Sequence, residues 1–444
     1  MASGREQWSS RSGFVLAAVG SAVGLGNMWR FSYLTAENGG AAFVILYLLV
    51  TLIVAVPVLL AEVVIGRGSQ QSPIRALAHY GGRAWRPVGF VFVAAGVTIL
   101  AYYGVIAGWT VRYAGMALFG GFDSGIADRF DDIAQGADAF GFHLLFMGVT
   151  IGIVAGGVTK GIERTAMVLM PVLFVIVSGL AVYAATLDGA AAGYAYYLSA
   201  DFSQILSLEV LTEASGQAFF SLSLGMGCML TFGSYLGRDT HLPRETALIA
   251  AADVGVAFVA GLVVFPLIFA LGLSDKVGGS TVGALFITLP QAFAEMGPIG
   301  RGVGLLFFAS LVVGALTSAI SLLEVVVSTA IDGFGWERRR AALTAGAAIT
   351  ALGIPAAWSL GVLDVMDQVA NNLFLLGGGL ALSIFVGWRM EDPIGEAKVG
   401  AAGVTWFPMW RNLLRYVVPV VLAFVLYDAV PKTLSAVWGL FVGE

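Results

Sequence analysis

The sequence predicts an all-α polytopic membrane protein with eleven transmembrane helices, an inverted five-plus-five repeat in which helices 1 and 6 are broken. Hydrophobic residues make up 58% of the 444 residues and charged residues only 11%, unlike the composition of a soluble domain. Apolar runs of about 20 residues, the length that crosses a bilayer, recur along the whole chain. Glycines interrupt two of these runs, the first and the sixth, at equivalent positions.

The apolar runs give the predicted spans and their orientation. They lie near 12–36, 41–66, 87–119, 142–159, 165–186, 213–236, 245–273, 303–330, 341–360, 363–388 and 414–440. Arg and Lys are concentrated in the segments at one set of span ends, and such an excess is typical of the cytoplasmic side. We therefore expect a multi-pass protein of the cell (inner) membrane with a cytoplasmic N-terminus and an external C-terminus.

The equivalent breaks define the predicted organisation, because they lie five spans apart and a repeat with an odd number of spans inverts the second copy across the membrane. The predicted regions are a cytoplasmic N-terminal tail 1–10, a first repeat 11–186 with spans one to five, an extracellular loop 187–212, a second repeat 213–389 with spans six to ten, a cytoplasmic loop 390–413, and span eleven with a short external C-terminus 414–444.

Two long outer segments invite a structural prediction. Residues 123–140, rich in Asp and Gly, indicate a loop with a short helix. Residues 283–296 have the pattern of an amphipathic helical hairpin broken at Pro290, which would cap a vestibule. An ordinary surface loop explains the latter spacing equally well.

Span one carries the first break. Gly20, Gly24 and Gly26 lie inside the run, with Asn27 and Arg30 directly after it. Each Gly in a helix interior costs about 1 kcal/mol relative to Ala, and backbone groups freed in a membrane need partners. Freed carbonyls can bind a cation and freed amides an anion. An amino acid zwitterion carries both charges.

Span six repeats the pattern about 200 residues later in the run Gln217 to Gly227, QAFFSLSLGMG. Span five carries a different feature. Gly161 tolerates unwound backbone and Pro171 removes a helix N–H, so they predict a hinge in the cytoplasmic half of that helix.

Five motifs in order resemble the neurotransmitter:sodium symporter family, whose best-known bacterial member is a leucine transporter. They are RSGFVLAAVGSAVGLGNMWRFSYLTAENGGAAF from Arg11 to Phe43, Tyr102-Tyr103, FFSLSLGMG at 219–227, ALTSAIS at 315–321 and LDVMDQ at 363–368. The resemblance covers spans one to ten and implies a bacterial amino acid transporter with a leucine-transporter-like fold. One departure is Ser32, where the family usually has Pro.

By position, the resemblance implies two bound Na⁺ ions. Sodium site 1 would use the Ala22 carbonyl, Asn27, Ser221, Asp253 and the substrate carboxylate. Sodium site 2 would use the carbonyls of Gly20, Val23 and Gly314 with the hydroxyls of Thr317 and Ser318. Back-bonding to a helix carbonyl is the common alternative for the two hydroxyls.

The resemblance also implies a substrate site between the broken helices. The substrate carboxylate would bind the Leu25 and Gly26 amides and the Tyr103 hydroxyl. Its ammonium would bind oxygens near Ala22, Phe220 and Ser223. Gly24 stands where monoamine carriers of the family have Asp, which favours an amino acid. The side-chain pocket would comprise Ile99, Tyr103, Phe220, Met226, Ser318 and Leu322, although each alone is more commonly a core residue.

Charged residues in the spans imply gates, because a charge at midplane costs at least about 2.5 kcal/mol. By resemblance, Arg30 and Asp367 would pair above the substrate. Arg5 and Asp332 would pair at the cytoplasmic end, near Trp8 and Tyr235. Other groups have structural or undefined roles: Glu62 would accept hydrogen bonds from unwound span six, and Glu324 and Arg112 have no assigned role.

Chloride is expected not to be required. Animal members of the family bind chloride near Tyr47, Gln217 and Ser221, together with a serine one turn after the sodium residue of span seven. Here that last position is Ala257, while Asp253 supplies its own negative charge.

The resulting hypothesis is sodium-coupled symport of a neutral, hydrophobic amino acid into the cell by alternating access. A proton-coupled carrier of the same fold that uses Asp253 is one alternative, and a transporter-like amino acid sensor is another. The motifs HExxH, GxSxG and GxxxxGK[ST] are absent from the sequence, which argues against an enzyme. We expect amino acid substrate, sodium ions and membrane lipid as partners, and no nucleic acid.

Overall fold

The computed structural model describes residues 5–122, 125–126, 129–203, 205, 207–272 and 284–442. Within these ranges the regular structure is helical, apart from one isolated antiparallel bridge between Gly40 and Ala200. The helices are α1 Arg11–Ala22, α2 Gly26–Glu37, α3 Ala41–Ser69, α4 Pro73–Gly81, α5 Arg83–Phe119, α6 Phe130–Ala134, α7 Gly136–Ala155, α8 Val158–Ala185, α9 Ala190–Leu198, α10 Leu208–Ser221, α11 Cys228–Gly233, α12 Leu242–Ala270, α13 Ala284–Thr288 continued by Leu289–Glu295, α14 Gly297–Phe334, α15 Arg338–Trp358, α16 Leu360–Arg389, α17 Pro393–Lys398 and α18 Phe407–Leu440.

The all-helical polytopic prediction is confirmed. Nine described helices are long and apolar enough to cross a membrane, and α1 with α2 forms a tenth if this pair, bent by 49°, is one span. Predicted span six consists of α10 and α11, each too short to span alone. The count of eleven therefore stays a prediction.

The first span breaks where its glycines predict a break. α1 ends at Ala22, and Val23 leaves helical geometry with φ −78° and ψ 103°. α2 then begins with a wide π-helical turn at Gly26–Arg30. A Cβ atom at Gly26 would lie 2.8 Å from the Phe220 ring, so this glycine lets the two broken spans approach closely.

The second break is a tight turn between α10 and α11. Ser223, Gly225 and Gly227 all have positive φ angles, of 54°, 74° and 75°. The freed amides of Gly225 and Leu230 donate hydrogen bonds to the Glu62 carboxylate, at 2.8 and 3.2 Å. The predicted role of Glu62 is thus confirmed, and this buried carboxylate satisfies the backbone where the helix ladder is interrupted.

The broken helices lie at the centre of the bundle. α1 contacts α8, α12 and α14, while α2 lies against α12 and α10 lies against α18 and α3. The long helices α5 and α14 pack together. These contacts bring both breaks to one place in the interior.

Two predictions about the outer segments have different outcomes. The short helix predicted in 123–140 is confirmed as α6; residues 123, 124, 127 and 128 lie outside the described residues. The hairpin predicted to break at Pro290 is wrong. α13 continues through Pro290, because this proline is in the first turn of Leu289–Glu295, where no N–H is needed. The chain turns instead at Gly297, φ 61°, and Gly283 lies outside the described residues.

The predicted hinge region starts irregularly. Gly157 has φ 91°, and the turn that follows, Val158–Glu163, is π-helical. Pro171 lies inside the regular part of α8. Both features weaken the helix ladder in the part of the helix nearest α1.

Candidate functional site

A central cavity of about 320 Å³ lies between the two breaks. All eleven residues predicted to bind substrate line it, and Ser21 and Ser221 complete the wall. None of these thirteen side chains is charged. The predicted members are Ala22, Gly24, Leu25, Gly26, Ile99, Tyr103, Phe220, Ser223, Met226, Ser318 and Leu322.

Polar groups are concentrated at the helix breaks. The Leu25 amide donates to the Tyr103 hydroxyl at 3.5 Å, at the start of α2. At the end of α1, the Ser21 carbonyl accepts hydrogen bonds from Ser223 Oγ at 2.8 Å and Ser318 Oγ at 3.2 Å. The cavity thus has amide donors on one side, oxygen acceptors on another and apolar walls elsewhere.

The residues predicted for sodium site 1 meet beside this cavity. Asp253 is fully buried, and its carboxylate accepts hydrogen bonds from Ser221 Oγ at 2.8 and 2.9 Å. Asn27 Nδ2 donates to the same carboxylate at 2.7 Å, and the Tyr47 hydroxyl lies 3.4 Å away. Every described hydrogen-bond partner of Asp253 is neutral, so its charge calls for a proton or a cation.

Asn27 is oriented differently from its predicted role. Its Oδ1 atom accepts from the Gly24 amide at 3.0 Å, and its nitrogen faces Asp253 and Ser221. A carboxylate attracts the N–H end of an amide, which explains this orientation. Ligation of sodium through the amide oxygen requires the side-chain amide to turn, which breaks its hydrogen bonds with the Gly24 amide and the Asp253 carboxylate.

The residues predicted for sodium site 2 lie where α1 meets α14. A Cβ atom at Gly314 would lie 3.5 Å from the Val23 carbonyl, and one at Gly20 would lie 3.0 Å from Thr317 Cβ. Thr317 Oγ1 bonds the Val313 and Gly314 carbonyls at 3.1 Å, the back-bonding anticipated as an alternative. The five oxygen atoms predicted to ligate sodium lie near one another. They are the carbonyls of Gly20, Val23 and Gly314 and the hydroxyls of Thr317 and Ser318.

The predicted outer gate is assembled without its ion pair. Arg30 and Asp367 line one outer cavity of about 600 Å³, yet they form no direct ion pair, contrary to prediction. The Arg30 guanidinium lies over the Phe220 ring, 5.6 Å from its centroid, while Asp367 accepts a hydrogen bond from Asn371 at 2.7 Å. Each charge thus has another local partner.

Four residues separate the outer cavity from the central one, because they line both. Leu25 and Gly26 contribute the start of α2, and the rings of Tyr103 and Phe220 complete the partition. The rings of Tyr103 and Phe220 therefore lie between the two cavities.

The predicted cytoplasmic gate is closed by a dense network. Arg5 Nη1 bonds both Asp332 oxygens, at 2.9 and 2.8 Å, and Arg5 also donates to Ser234 Oγ at 2.7 Å. The Trp8 indole donates to the Phe232 carbonyl at 2.9 Å and packs edge-on against Tyr235. The four predicted residues Arg5, Trp8, Tyr235 and Asp332 are brought together.

Sequence reasoning missed the other half of this network. Glu324 is fully buried, accepts a hydrogen bond from the Tyr235 hydroxyl and pairs with Arg338 at 2.7 Å. Arg338 also pairs with Glu6 at 2.6 Å. A carboxylate inside span eight was the signal, but its partner lies on the next helix and could not be inferred from spacing. Arg112, the other charge without a role, pairs with Asp138 at 2.9 Å.

The N-terminal segment is tied to the predicted hinge. Glu163 accepts hydrogen bonds from the Ser9 amide and from the hydroxyls of Ser9 and Ser10, at 2.7 to 2.8 Å. Glu6 accepts one from the Val158 amide at 2.7 Å. The irregular start of α8 is therefore held by the segment that also closes this end of the bundle.

Known proteins are similar to this chain over almost its whole length. An uncharacterised sodium-dependent transporter, YhdH of Bacillus subtilis strain 168, is 35% identical over 96% of this chain and 97% of its own length. One of Haemophilus influenzae is 31% identical over 94% of this chain and 96% of its own. The crystal structure of MhsT in complex with L-phenylalanine superposes with a TM-score of 0.88 and 41% identity, over 96% of this chain and all of that one.

The pattern of the sodium:neurotransmitter symporter family matches residues 5–122 and 132–440. This match includes both broken spans, the central cavity and the cytoplasmic network. It confirms the resemblance, and it assigns the chain to a family of membrane transporters that use sodium, not to a family of enzymes. The chain belongs to the sodium:neurotransmitter symporter family.

Proposed function

We propose that this protein couples the inward movement of sodium to the uptake of a neutral amino acid with a hydrophobic side chain, by alternating access. The central cavity between the two broken spans is the observation that carries the proposal. Its lining is uncharged, with polar backbone groups at the breaks and apolar side chains elsewhere. A zwitterion with an apolar side chain matches this distribution.

The start of α2 would bind the substrate carboxylate. The Leu25 and Gly26 amides lie at the positive end of the helix dipole, beside the Tyr103 hydroxyl. The ammonium would bind acceptors at Ala22, Phe220 and Ser223. MhsT, 41% identical, was crystallised with L-phenylalanine, which supports an apolar amino acid of similar size here.

Two sodium ions would accompany the substrate. At site 1, Asp253, Ser221, Asn27 and the Ala22 carbonyl offer the hard oxygen ligands that an alkali cation prefers. At site 2 the ligands would come from the end of α1 and from α14. Sodium at site 1 would neutralise the buried Asp253 charge and also bind the substrate carboxylate, which would couple the two solutes.

Chloride would not be required. The Asp253 carboxylate reaches Ser221 and the Tyr47 hydroxyl, two of the groups that would otherwise face an anion. A fixed negative charge in that position repels chloride and replaces its electrostatic role. Ala257, also buried, offers no hydroxyl.

The transport cycle would use the two ends of the bundle in turn. The Arg5–Asp332 and Glu324–Arg338 pairs would close the cytoplasmic side, and the outer cavity would admit substrate past Tyr103 and Phe220. This assignment keeps the N-terminus in the cytoplasm, the C-terminus outside and the two repeats at 11–186 and 213–389. The inner membrane is the proposed location.

A proton-coupled carrier is the second candidate, favoured by the burial of Asp253 among neutral partners. A sensor without turnover would use the same site. Uptake into proteoliposomes with a sodium gradient, a proton gradient or neither distinguishes the three. We expect uptake with the sodium gradient alone; uptake driven by protons in sodium-free buffer would favour the carrier, and binding without uptake the sensor.

The substrate is tested by thermal stability of the purified protein. A ligand that binds the folded state raises the melting temperature. We screen the twenty amino acids in sodium and in potassium, and we expect shifts for apolar amino acids in sodium only. Equal shifts in both salts would contradict sodium coupling, and shifts for charged amino acids would contradict the substrate class.

A further inference from the structure

Asp367, the acidic residue of the predicted outer gate, is held by Asn371, one turn further along α16. Asn371 Nδ2 donates to Asp367 Oδ1 at 2.7 Å and to the Asp367 backbone carbonyl at 3.0 Å. Asn371 itself is only 1% exposed. The two hydrogen bonds fix the orientation of the amide, because a turned amide would place its own oxygen against two acceptors.

Arg30, the basic residue of the same gate, has an unused donor. Its Nη1 atom is buried and has no hydrogen-bond partner in the described structure, while the guanidinium lies over the Phe220 ring. Arg30 and Asp367 line the same outer cavity. Because a guanidinium forms strong hydrogen bonds with a carboxylate, Arg30 and Asn371 compete for the Asp367 side chain.

Two neighbouring polar groups also lack partners. Among the described residues, neither Asn371 Oδ1 nor the Tyr102 hydroxyl forms a hydrogen bond, although both are buried. Tyr102 lies next to Asp367 and Asn371 and lines the outer cavity. When the Asp367 side chain leaves, the Asn371 amide becomes free to turn toward the Tyr102 hydroxyl. Both groups then gain a partner, which offsets the loss of the Asp367 bonds.

The other carboxylate of the outer cavity has a similar but more exposed pairing. Asp364 accepts a hydrogen bond from Gln368 Nε2 at 2.7 Å, again from four residues along the helix. Asp364 is exposed, so water competes with Gln368 for its carboxylate. Asn371, by contrast, holds Asp367 from the interior of the bundle.

We propose that Asn371 is a positioning residue of the outer gate, which holds Asp367 away from Arg30 while the cytoplasmic network is closed. The gate closes when Asp367 exchanges Asn371 for Arg30 and Asn371 turns toward Tyr102. The amide is uncharged, so it holds the carboxylate less strongly than a second cation would and the exchange is reversible. The effect on substrate entry rests on the proposed transport function, whereas the exchange itself is tested without transport.

The direct test measures how accessible the outer cavity is in the full-length protein, in sodium and without substrate. A cysteine introduced as Ile106→Cys on the cavity wall is labelled with a trimethylammonium methanethiosulfonate reagent; the native Cys228 is fully buried. We expect Asn371→Leu to slow labelling roughly three- to tenfold, because Asp367 is then free to pair with Arg30. Asn371→Ala removes the same two hydrogen bonds if Asn371→Leu does not fold.

Asn372→Leu is the matched control. Asn372 is the next residue of α16 and donates to Thr433 Oγ1 of α18 at 3.0 Å, so its loss leaves Asp367 held. We expect labelling at the wild-type rate in this variant. Slowing equal to that of Asn371→Leu would contradict a specific role of Asn371.

A second substitution shows whether Asn371 acts through Asp367. We expect Asp367→Asn to remove the effect of Asn371→Leu, since the gate then has no carboxylate to pair with Arg30. The double variant should be labelled as fast as Asp367→Asn alone. Equal slowing with and without Asp367→Asn, or unchanged labelling in both Asn371→Leu and Asn371→Ala, would overturn the proposal.

The consequence for transport is measured by the rate at which radiolabelled L-phenylalanine binds from the outer side in sodium. We expect slower association in Asn371→Leu and wild-type association in Asn372→Leu, because only the former closes the path to the central cavity. If the wild type neither binds nor takes up amino acids, the proposed function fails, and the labelling rates still decide the role of Asn371. Faster association in Asn371→Leu would contradict that role.

Discussion

Asp253 carries a negative charge into the centre of the bundle with neutral hydrogen-bond partners only. If sodium binds here as proposed, sodium and protons compete for one carboxylate, and we expect apparent sodium affinity to weaken as pH falls. We expect Asp253→Asn to abolish this pH dependence and to lose uptake or require chloride. Uptake across pH, with chloride or gluconate, measures both effects.

Wild-type uptake is expected to be the same in chloride and gluconate. Asp138→Asn serves as control, because Asp138 pairs with Arg112 at a partly exposed position and does not line the central cavity. If Asp253→Asn and wild type respond identically to sodium, pH and chloride, Asp253 only bonds neighbouring helices.

Asn27 and Thr317 test the two sodium sites separately. Asn27→Ala and Thr317→Ala each remove a side-chain oxygen from a proposed sodium site, so we expect sodium affinity to fall roughly 10- to 100-fold and uptake to be lost at physiological sodium. Isothermal titration with sodium and flux assays provide the measurement. Thr329→Ala is the control for Thr317, since Thr329 back-bonds on the same helix. Normal sodium dependence in both variants would sink the two-site assignment.

Gly24 tests the position of the substrate. A Cβ atom there would lie 2.6 Å from Ser318 Oγ and 3.1 Å from the Tyr103 hydroxyl, so any side chain narrows the cavity. Gly24→Asp adds a charge beside the substrate carboxylate, and we expect it to lose more affinity than Gly24→Ala. Binding of labelled amino acid to both variants separates volume from charge. Unchanged affinity in Gly24→Asp would place the substrate elsewhere.

At the scale of single residues, motif positions predicted which residues lie close together. Hydrogen bonding determines the orientation of their side chains. All eleven residues predicted to bind substrate line one cavity, because the glycine breaks let the two broken helices approach closely. The orientation of Asn27 could not be predicted, since it depends on donors and acceptors from three helices. The same limit explains Arg30, whose guanidinium lies over the Phe220 ring and not on Asp367.

At the scale of elements, the hinge in α8 is the main test. Pro171 lacks an N–H, and Pro171→Ala restores a helix hydrogen bond, so we expect slower intracellular release of sodium with substrate affinity kept. Hydrogen exchange along 158–171 should decrease in the variant. Wild-type turnover and exchange in Pro171→Ala would refute the hinge.

Gly161→Ala, suggested by the sequence as a second stiffening change, is not a clean test. A Cβ atom at Gly161 would collide with the Ile153 carbonyl, so the substitution disrupts the junction between α7 and α8. The close approach of two segments requires this glycine. Sequence alone shows a flexible residue and cannot show that contact.

Prolines and glycines also explain which element boundaries could be predicted. The breaks in spans one and six follow from clustered glycines inside apolar runs. Pro290 misled the prediction, because a proline in the first turn of a helix and one in its middle look alike in sequence. The turn at Gly297 marks the true boundary.

For the whole molecule, the network around Arg5 and Asp332 is the proposed cytoplasmic gate. Arg5→Ala removes two bonds to Asp332 and those to Ser234. We expect the protein to shift toward a state open at this end, with faster hydrogen exchange in residues 5–14 and weaker sodium binding. Arg11→Ala is the matched control, because Arg11 pairs with Glu245 from a half-exposed position. Identical exchange in the two variants would contradict the gate.

The partition between the two cavities has a further consequence for the range of substrates. The Phe220 ring is floor to the outer chamber and roof to the inner one. A tilt of the ring that enlarges the central cavity narrows the outer one. A larger side chain in the central cavity therefore leaves less volume in the outer cavity. If substrate binds in the central cavity as proposed, the space in the two cavities together limits the largest side chain that fits, and a molecule bound in the outer cavity lowers that limit.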